Sequence, residues 1–340
     1  MLFKCFIFIL YFLRVASSRL HYTLSLKKMK TEDIHYLCFA GGGPRGLAYA
    51  SALIEFQALL RYDYATHLKG ACGSSIGALY ATAVCAGYSP QTIQAINMST
   101  HMIDLVNINF SNIMSHWAVS MLNHVQQWIE NFLGNQRMTF GQFYRRFGKV
   151  LKVCASNLNT NQCEVFSHET TPDMEVAFGV AVSMCLPLVF PPQKINNHLY
   201  VDGGLTNNFP MNLFPQEHTV GMRVNWGYVA DITGLETYFS RLSYVALSHI
   251  QRQRDHDLLD EQHRQHTIEI DCGNVSTVSW KMTNDTMSAI AVAGQNAVRD
   301  FVKQLDLKAI DPEARPAPPT RCSVGCQTTL EAVETRVEGE

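Results

Sequence analysis

Two short apolar runs in this chain each end in a glycine-rich turn and continue as a helical pattern. No other feature restricts the fold as much. Residues 34–40 (IHYLCFA) read as a buried strand, followed by Gly41-Gly42-Gly43-Pro44-Arg45-Gly46 and a helical pattern over residues 47–60. Residues 67–72 read as a second strand, followed by Gly73-Ser74-Ser75-Ile76-Gly77 and a helical pattern over residues 76–86. Strands that lack polar alternation are covered on both faces, and strands alternating with helices build a parallel sheet between helical layers. The expected fold is α/β: one three-layer α/β/α domain with a mostly parallel central sheet.

The rest of the chain continues this alternation. Gly87 stops the second helix, and Ser89-Pro90 supplies a cap and first position for the next. Residues 103–134 are apolar with a helical period, which reads as core. Residues 150–155 and 163–166 read as strands around a turn at 157–161. Thr171-Pro172 opens a helix that ends before Pro187, and Tyr200-Val201 closes a short strand before Asp202-Gly203-Gly204. Residues 219–224 and 267–270 are further strands, separated by a long polar helix over 235–263. A last helix covers 285–304. Beyond it Pro312, Pro316, Pro318 and Pro319 interrupt a stretch without apolar period, which reads as a disordered tail. The expected boundaries are an extension over residues 1–28, one domain over 29–305 and the tail over 306–340.

Composition narrows the partners. With 340 residues, 47% of them hydrophobic, the chain can bury a large core. Its 27 basic and 29 acidic residues nearly cancel without a dense basic run, which argues against nucleic acid. Cys38, Cys72, Cys154 and Cys185 lie in apolar segments and read as free, buried thiols in a reducing compartment. The cysteine usage therefore points to a cytoplasmic location. The apolar run from Cys5 to Leu13 is too short to span a bilayer. With Val15-Ala16-Ser17 it fits a signal peptide or an interfacial anchor through residues 1–17, and Met29 is an alternative start.

Gly73-Ser74-Ser75-Ile76-Gly77 has the form of a sharp strand-to-helix turn that presents a serine nucleophile, Ser75, with Gly73 and Gly77 removing side chains that would crowd it. The same pattern also arises as plain helix-on-strand packing. Gly41-x-Gly43-x-x-Gly46 after a strand is equally the form of a dinucleotide loop. That reading requires an acidic residue at the end of the next strand, which instead ends in Cys72-Gly73. The other use of the loop is an oxyanion hole, with Gly42 and Gly43 as donors, the Ile76 N–H as a third, and Arg45 adding charge or forming a surface ion pair. One such donor stabilises a transition state by ~3 kcal/mol.

A serine hydroxyl needs a base within reach. Asp202 followed by His218 or His249 would satisfy a Ser–His–Asp order, with His198 a nearby loop residue. Asp202 at a strand end before two glycines would instead contact Ser75 directly as a dyad, and a plain Asp-Gly turn is the bland reading. His256, His263 and His266, among acidic residues, read as a solvated helix face rather than a metal site. The chain has no calcium-ligand loop, so neither a metal nor a cofactor is expected.

Four segments together resemble the patatin-like phospholipase family: Gly41 to Gly46, Gly73 to Gly77, Ser183-Met184-Cys185-Leu186-Pro187-Leu188-Val189-Phe190-Pro191-Pro192, and Asp202-Gly203-Gly204 with Asn208 and Pro210. The similarity runs from about Ile34 to Gln304. It implies a patatin-like fold and a calcium-independent lipid acyl hydrolase of phospholipase A type. It also implies Ser75 as nucleophile, Asp202 as its sole catalytic partner, and an oxyanion hole from Gly41, Gly42, Gly43, Arg45, Gly46 and Ile76. The implied partner is a lipid at a membrane or micelle surface. On that reading Trp117, Met121 and Trp128 line an acyl groove or a lid, against the simpler core reading. Cys185 and Asn161 depart from the family pattern and are expected to stand clear of the chemistry. A dinucleotide-binding protein, a Ser–His–Asp esterase and a binding protein with a decayed centre are the alternatives.

Overall fold

A computed structural model describes residues 29–99, 109, 111–134, 137–225, 266–273, 275 and 282–304, with isolated positions at 232, 238, 241 and 245. The N-terminal extension, the polar stretch at 235–263 apart from three of these positions, and the tail lie outside them. Eight strands form one mixed, mostly parallel sheet: β1 (Tyr36–Phe39), β2 (Gly70–Ser74), β3 (Val150–Asn157), β4 (Gln162–Phe166), β5 (Gln193–Ile195), β6 (His198–Asp202), β7 (Thr219–Val224) and β8 (Thr267–Ile270). The path through the sheet is β5-β6-β3-β2-β1-β7-β8, with β4 also on β3. The parallel pairs are β1 with β2 and β7, β2 with β3, and β7 with β8.

The described helices are α1 (Ala48–Leu60), α2 (Ile76–Cys85), α3 (Pro90–Ser99), α4 (Asn112–His116), α5 (Asn123–Phe132), α6 (Phe140–Phe147), α7 (Val176–Ser183), α8 (Gly204–Asn207) and α9 (Asn284–Gln304). Strand β1 shows how the layers form, because successive side chains face opposite ways. Phe39 meets Tyr49 of α1 and Tyr80 of α2 on one face. Cys38 and Ala40 face the other way, into a cluster with Phe209 and Met211. Helix α9 packs on α1, where Gly294 lets the backbones approach: a Cβ there would lie 2.4 Å from the Ala48 carbonyl oxygen.

The registers around β3 position the site. Residues Val153 to Asn157 of β3 pair with β4 along one edge. Along the other edge, Gly70 to Ser74 of β2 pair in parallel with Val150 to Cys154, and Tyr200 to Asp202 of β6 pair antiparallel with Asn157 to Ala155. Strands β2 and β6 therefore share an edge and run toward each other. Ser74 stands opposite Cys154, and Asp202 stands opposite the next residue, Ala155.

Several sequence expectations change here. Residues 103–134 do not form one helical run: among the described positions α4 ends at Trp117 in the left-handed region, and α5 begins six residues later. Val125, Ile129 and Phe132 are core, but Trp117 and Met121 are exposed. Thr171-Pro172 begins a turn rather than the helix, which starts at Val176. Strand β5 was not anticipated; it pairs with β6 across Asn196 and Asn197, both at positive φ. Helix α6 was not anticipated either, although Thr139 and Gln142 cap it reciprocally, and β2 lies at Gly70–Ser74 rather than 67–72. Ser89 accepts the Thr92 N–H as a helix cap, and Gly87 takes φ +82°.

Candidate active site

Ser75 sits between β2 and α2 with φ 54° and ψ −130°, a sparsely populated conformation for a residue with a side chain. The glycines around it allow this turn. A Cβ on Gly73 would lie 2.3 Å from the Gly77 carbonyl, and one on Gly77 would lie 2.2 Å from the Phe39 carbonyl oxygen. Helix α2 thus starts hard against β1, with its first N–H groups beside Ser75. These amides have no acceptor within the helix.

Asp202 ends β6, 4% exposed. The Ser75 hydroxyl donates to its Oδ2 at 2.7 Å, and the Gly204 N–H donates to its Oδ1 at 2.7 Å. Burial disfavours the carboxylate and raises its pKa to about 6, against the stabilising pull of these two hydrogen bonds. Gly203 fits beneath Asp202, since a Cβ there would lie 2.2 Å from the Cys154 carbonyl oxygen.

Ser183, the last residue of α7, opens one of the four resembling segments but was given no role from the sequence. Its Oγ accepts the Ser75 N–H at 2.9 Å and donates to the Cys154 carbonyl at 2.6 Å. One hydroxyl therefore ties the serine turn to the strand that aligns it with Asp202. Two residues on, the Cys185 carbonyl accepts the Asp202 N–H at 2.8 Å. Cys185 is thus part of the support of Asp202, contrary to its expected distance from the site. Its thiol is pushed up by burial and by the Asp202 carboxylate. Asn161 takes φ +59°, a conformation asparagine tolerates, in the turn after β3.

The glycine loop lies against the serine. A Cβ on Gly41 would lie 3.1 Å from the Ser75 Cβ, and one on Gly46 would lie 2.7 Å from Ile76 Cγ1. Gly41 cannot serve as an oxyanion donor, because its N–H donates to the Asn208 carbonyl at 3.0 Å. Asn208 also donates from Nδ2 to the Gly41 carbonyl. Arg45 is neither a surface residue nor an open positive charge. It is 1% exposed, and its guanidinium donates to the carbonyls of Gly42 and Asn225, bracing the loop from behind. Gly46 contributes closeness to Ile76. Gly43 takes φ +55°, a conformation that favours glycine.

The described candidate histidines lie elsewhere. His198 is at the far end of β6 and contacts Asn157 through Nδ1 at 2.8 Å. His218 precedes β7 at the opposite end of the sheet, its Nδ1 2.8 Å from the Asp33 carbonyl and its ring stacked on His35. His249, His256 and His263 lie outside the described residues. His266 is buried before β8, not on a solvated helix face. Among the described residues no cluster of three or more His, Cys, Asp or Glu side chains is gathered for a metal, and no helix is long and apolar enough to cross a membrane.

Comparison with known proteins agrees with this architecture. A probable lipid hydrolase of Invertebrate iridescent virus 6 is 26% identical over 223 residues, covering 63% of this chain and 73% of the viral protein. A cGAMP-activated phospholipase of Pseudomonas aeruginosa is 24% identical over 186 residues, covering 52% of this chain and 54% of the relative. The fold matches that of VipD from Legionella pneumophila with a TM-score of 0.57 at 15% identity, covering 80% of this chain and 67% of VipD. The family model for patatin-like phospholipase matches residues 37–215, from β1 to just past the loop that follows α8. With more than half of its length matched, the chain belongs to the patatin-like phospholipase family, a family of lipid hydrolases.

Proposed function

We propose that this protein hydrolyses carboxylic ester bonds of phospholipids or related acylglycerols through a Ser75–Asp202 dyad. The 2.7 Å hydrogen bond from Ser75 Oγ to Asp202 Oδ2 carries this reading. Ser75 Oγ attacks the acyl carbonyl carbon while its proton passes to Asp202. The oxyanion that forms accepts hydrogen bonds from N–H groups of Gly42, Gly43 and Ile76. As the tetrahedral centre collapses, the ester C–O bond breaks and Asp202 returns the proton to the departing alcohol or lysolipid oxygen. Water then attacks the acyl-enzyme, Asp202 takes its proton, and Ser75 recovers it as the fatty acid leaves.

A carboxylate with an ordinary pKa is a poor base at neutral pH, and burial of Asp202 offsets that weakness. The protein groups alone supply base and oxyanion stabilisation, so calcium is not needed. Covalent labelling with a fluorophosphonate tests the assignment. Wild type should label and Ser75→Ala should not; label that persists on the alanine variant would remove Ser75 from the mechanism.

A further inference from the structure

Four large apolar side chains stand exposed on two neighbouring segments: Met114 at 89%, Trp117 at 64% and Met121 at 37% on one, and Leu188 at 47% on the other. The segments are tied together. The Val119 and Ser120 N–H groups donate to the carbonyls of Leu188 and Val189, both at 2.9 Å, and Ala118 pairs with Leu188. Trp117 and Leu188 both take positive φ, 58° and 69°, which bulky residues rarely adopt. Both side chains are thus exposed on backbone held at some cost in strain.

The patch adjoins the catalytic centre. Ser183 supports Ser75, and the Cys185 carbonyl supports Asp202. Leu188 follows Cys185 by three residues, which limits the separation of their Cα atoms to about 11 Å. Charge identifies the occupant. From residue 70 to residue 136 the sequence contains no lysine or arginine, and its only acidic residues are Asp104 and Glu130. The second segment is uncharged from residue 176 to residue 193. An exposed Trp–Met–Leu surface with no formal charge suits the headgroup–acyl boundary of a bilayer, and has nothing to offer an anionic surface.

We infer that Met114, Trp117, Met121 and Leu188 form a docking surface for an electrically neutral lipid bilayer, entering its interfacial zone beside the Ser75 site. This rests on the lipid-ester reading above and adds how the enzyme reaches its substrate. The test is sedimentation of the full chain with vesicles of pure phosphatidylcholine, with and without added phosphatidylserine, at low and high salt. Wild type should bind the neutral vesicles with little dependence on salt. The double variant Met114→Gln, Trp117→Asn should bind about tenfold more weakly, with its melting midpoint as folding control. Asparagine is chosen because it tolerates the left-handed backbone at position 117.

Ser75→Ala should bind vesicles as wild type does while hydrolysis stops, which separates docking from chemistry. Wild-type affinity in the folded double variant would overturn the inference. Binding that requires phosphatidylserine and fades with salt would also overturn it. So would a wild type that ignores vesicles and dimerises through this patch.

Discussion

Replacing Asp202 by asparagine should sharply reduce the proposed ester hydrolysis and stabilise the fold, because the burial that suits Asp202 to the proposed role of base makes its charge costly. Asparagine keeps the shape. Its Oδ1 still accepts the Gly204 N–H, and its Nδ2 turns a donor toward Ser75 Oγ, reversing that hydrogen bond. The charge is what disappears. Asp202 has its pKa raised from 3.8 to about 6 by burial, so its folded state holds the proton more tightly than the unfolded chain does. Such a group contributes stability below pH 3.8, and that contribution is lost as pH rises through about 6. The gap amounts to about 3 kcal/mol against the wild type at pH 7.5. Asp202→Asn should recover much of it, raising the melting midpoint by on the order of 5 °C, while ester turnover falls about 10³-fold. At pH 5 the wild type is mostly protonated at this site, and the stability gap should shrink to roughly half. Urea unfolding of both proteins at the two pH values, with turnover of a soluble ester, measures all of this. A variant no more stable than wild type at pH 7.5, with a gap indifferent to pH, would refute the electrostatic account of the site.

The remaining expectations concern the same centre. The pH–rate profile of kcat/KM should fall on the acid side with an apparent pKa near 6, so that at pH 5 the rate lies about tenfold below its plateau; a limb near pH 4 would contradict a buried base. Ser183→Ala leaves the Ser75 N–H and the Cys154 carbonyl without their shared partner, and should cost about 2 kcal/mol of stability and lower kcat more than it changes KM. Gly77→Ala drives a methyl group against the Phe39 and Ala40 carbonyls, backbone that cannot move aside, and should lower the urea midpoint by the equivalent of about 3 kcal/mol or leave the protein insoluble. His198→Ala and His218→Ala should each keep most of the turnover, since both side chains are held away from Ser75; loss at either would point to a triad.

Much of this architecture was legible in the residues. Strands β7 and β8 are short runs rich in β-branched residues with clear ends, and the observed limits match those read from the sequence. The serine turn was readable because only small residues can be packed where Gly73 and Gly77 lie. What could not be read was long-range. Ser183 looks like any small helix residue until the fold brings it to the Ser75 amide. Arg45 looks like a surface cation, because nothing local announces that the carbonyls of Gly42 and Asn225 converge on its guanidinium. The Trp117 region misled for a different reason. Apolar periodicity reports that a face avoids water, not whether protein covers it, and here Val125 and Ile129 are core while Trp117 is bare.

The head-on approach of β2 and β6 along one edge of β3 has a consequence for how the protein comes into being. Strand β3 acts as a ruler, and Ser74, the residue before Ser75, and Asp202 are set opposite adjacent positions on it by backbone pairing. A nascent chain that has emerged only as far as α7 already carries a complete serine turn and the hydroxyl that steadies it, but no base. On the proposed mechanism the Ser75–Asp202 pair is complete only with β6 on β3, and β6 is the sixth of the eight strands in chain order. On the proposed lipid-ester reading, assembly order is then itself a form of restraint.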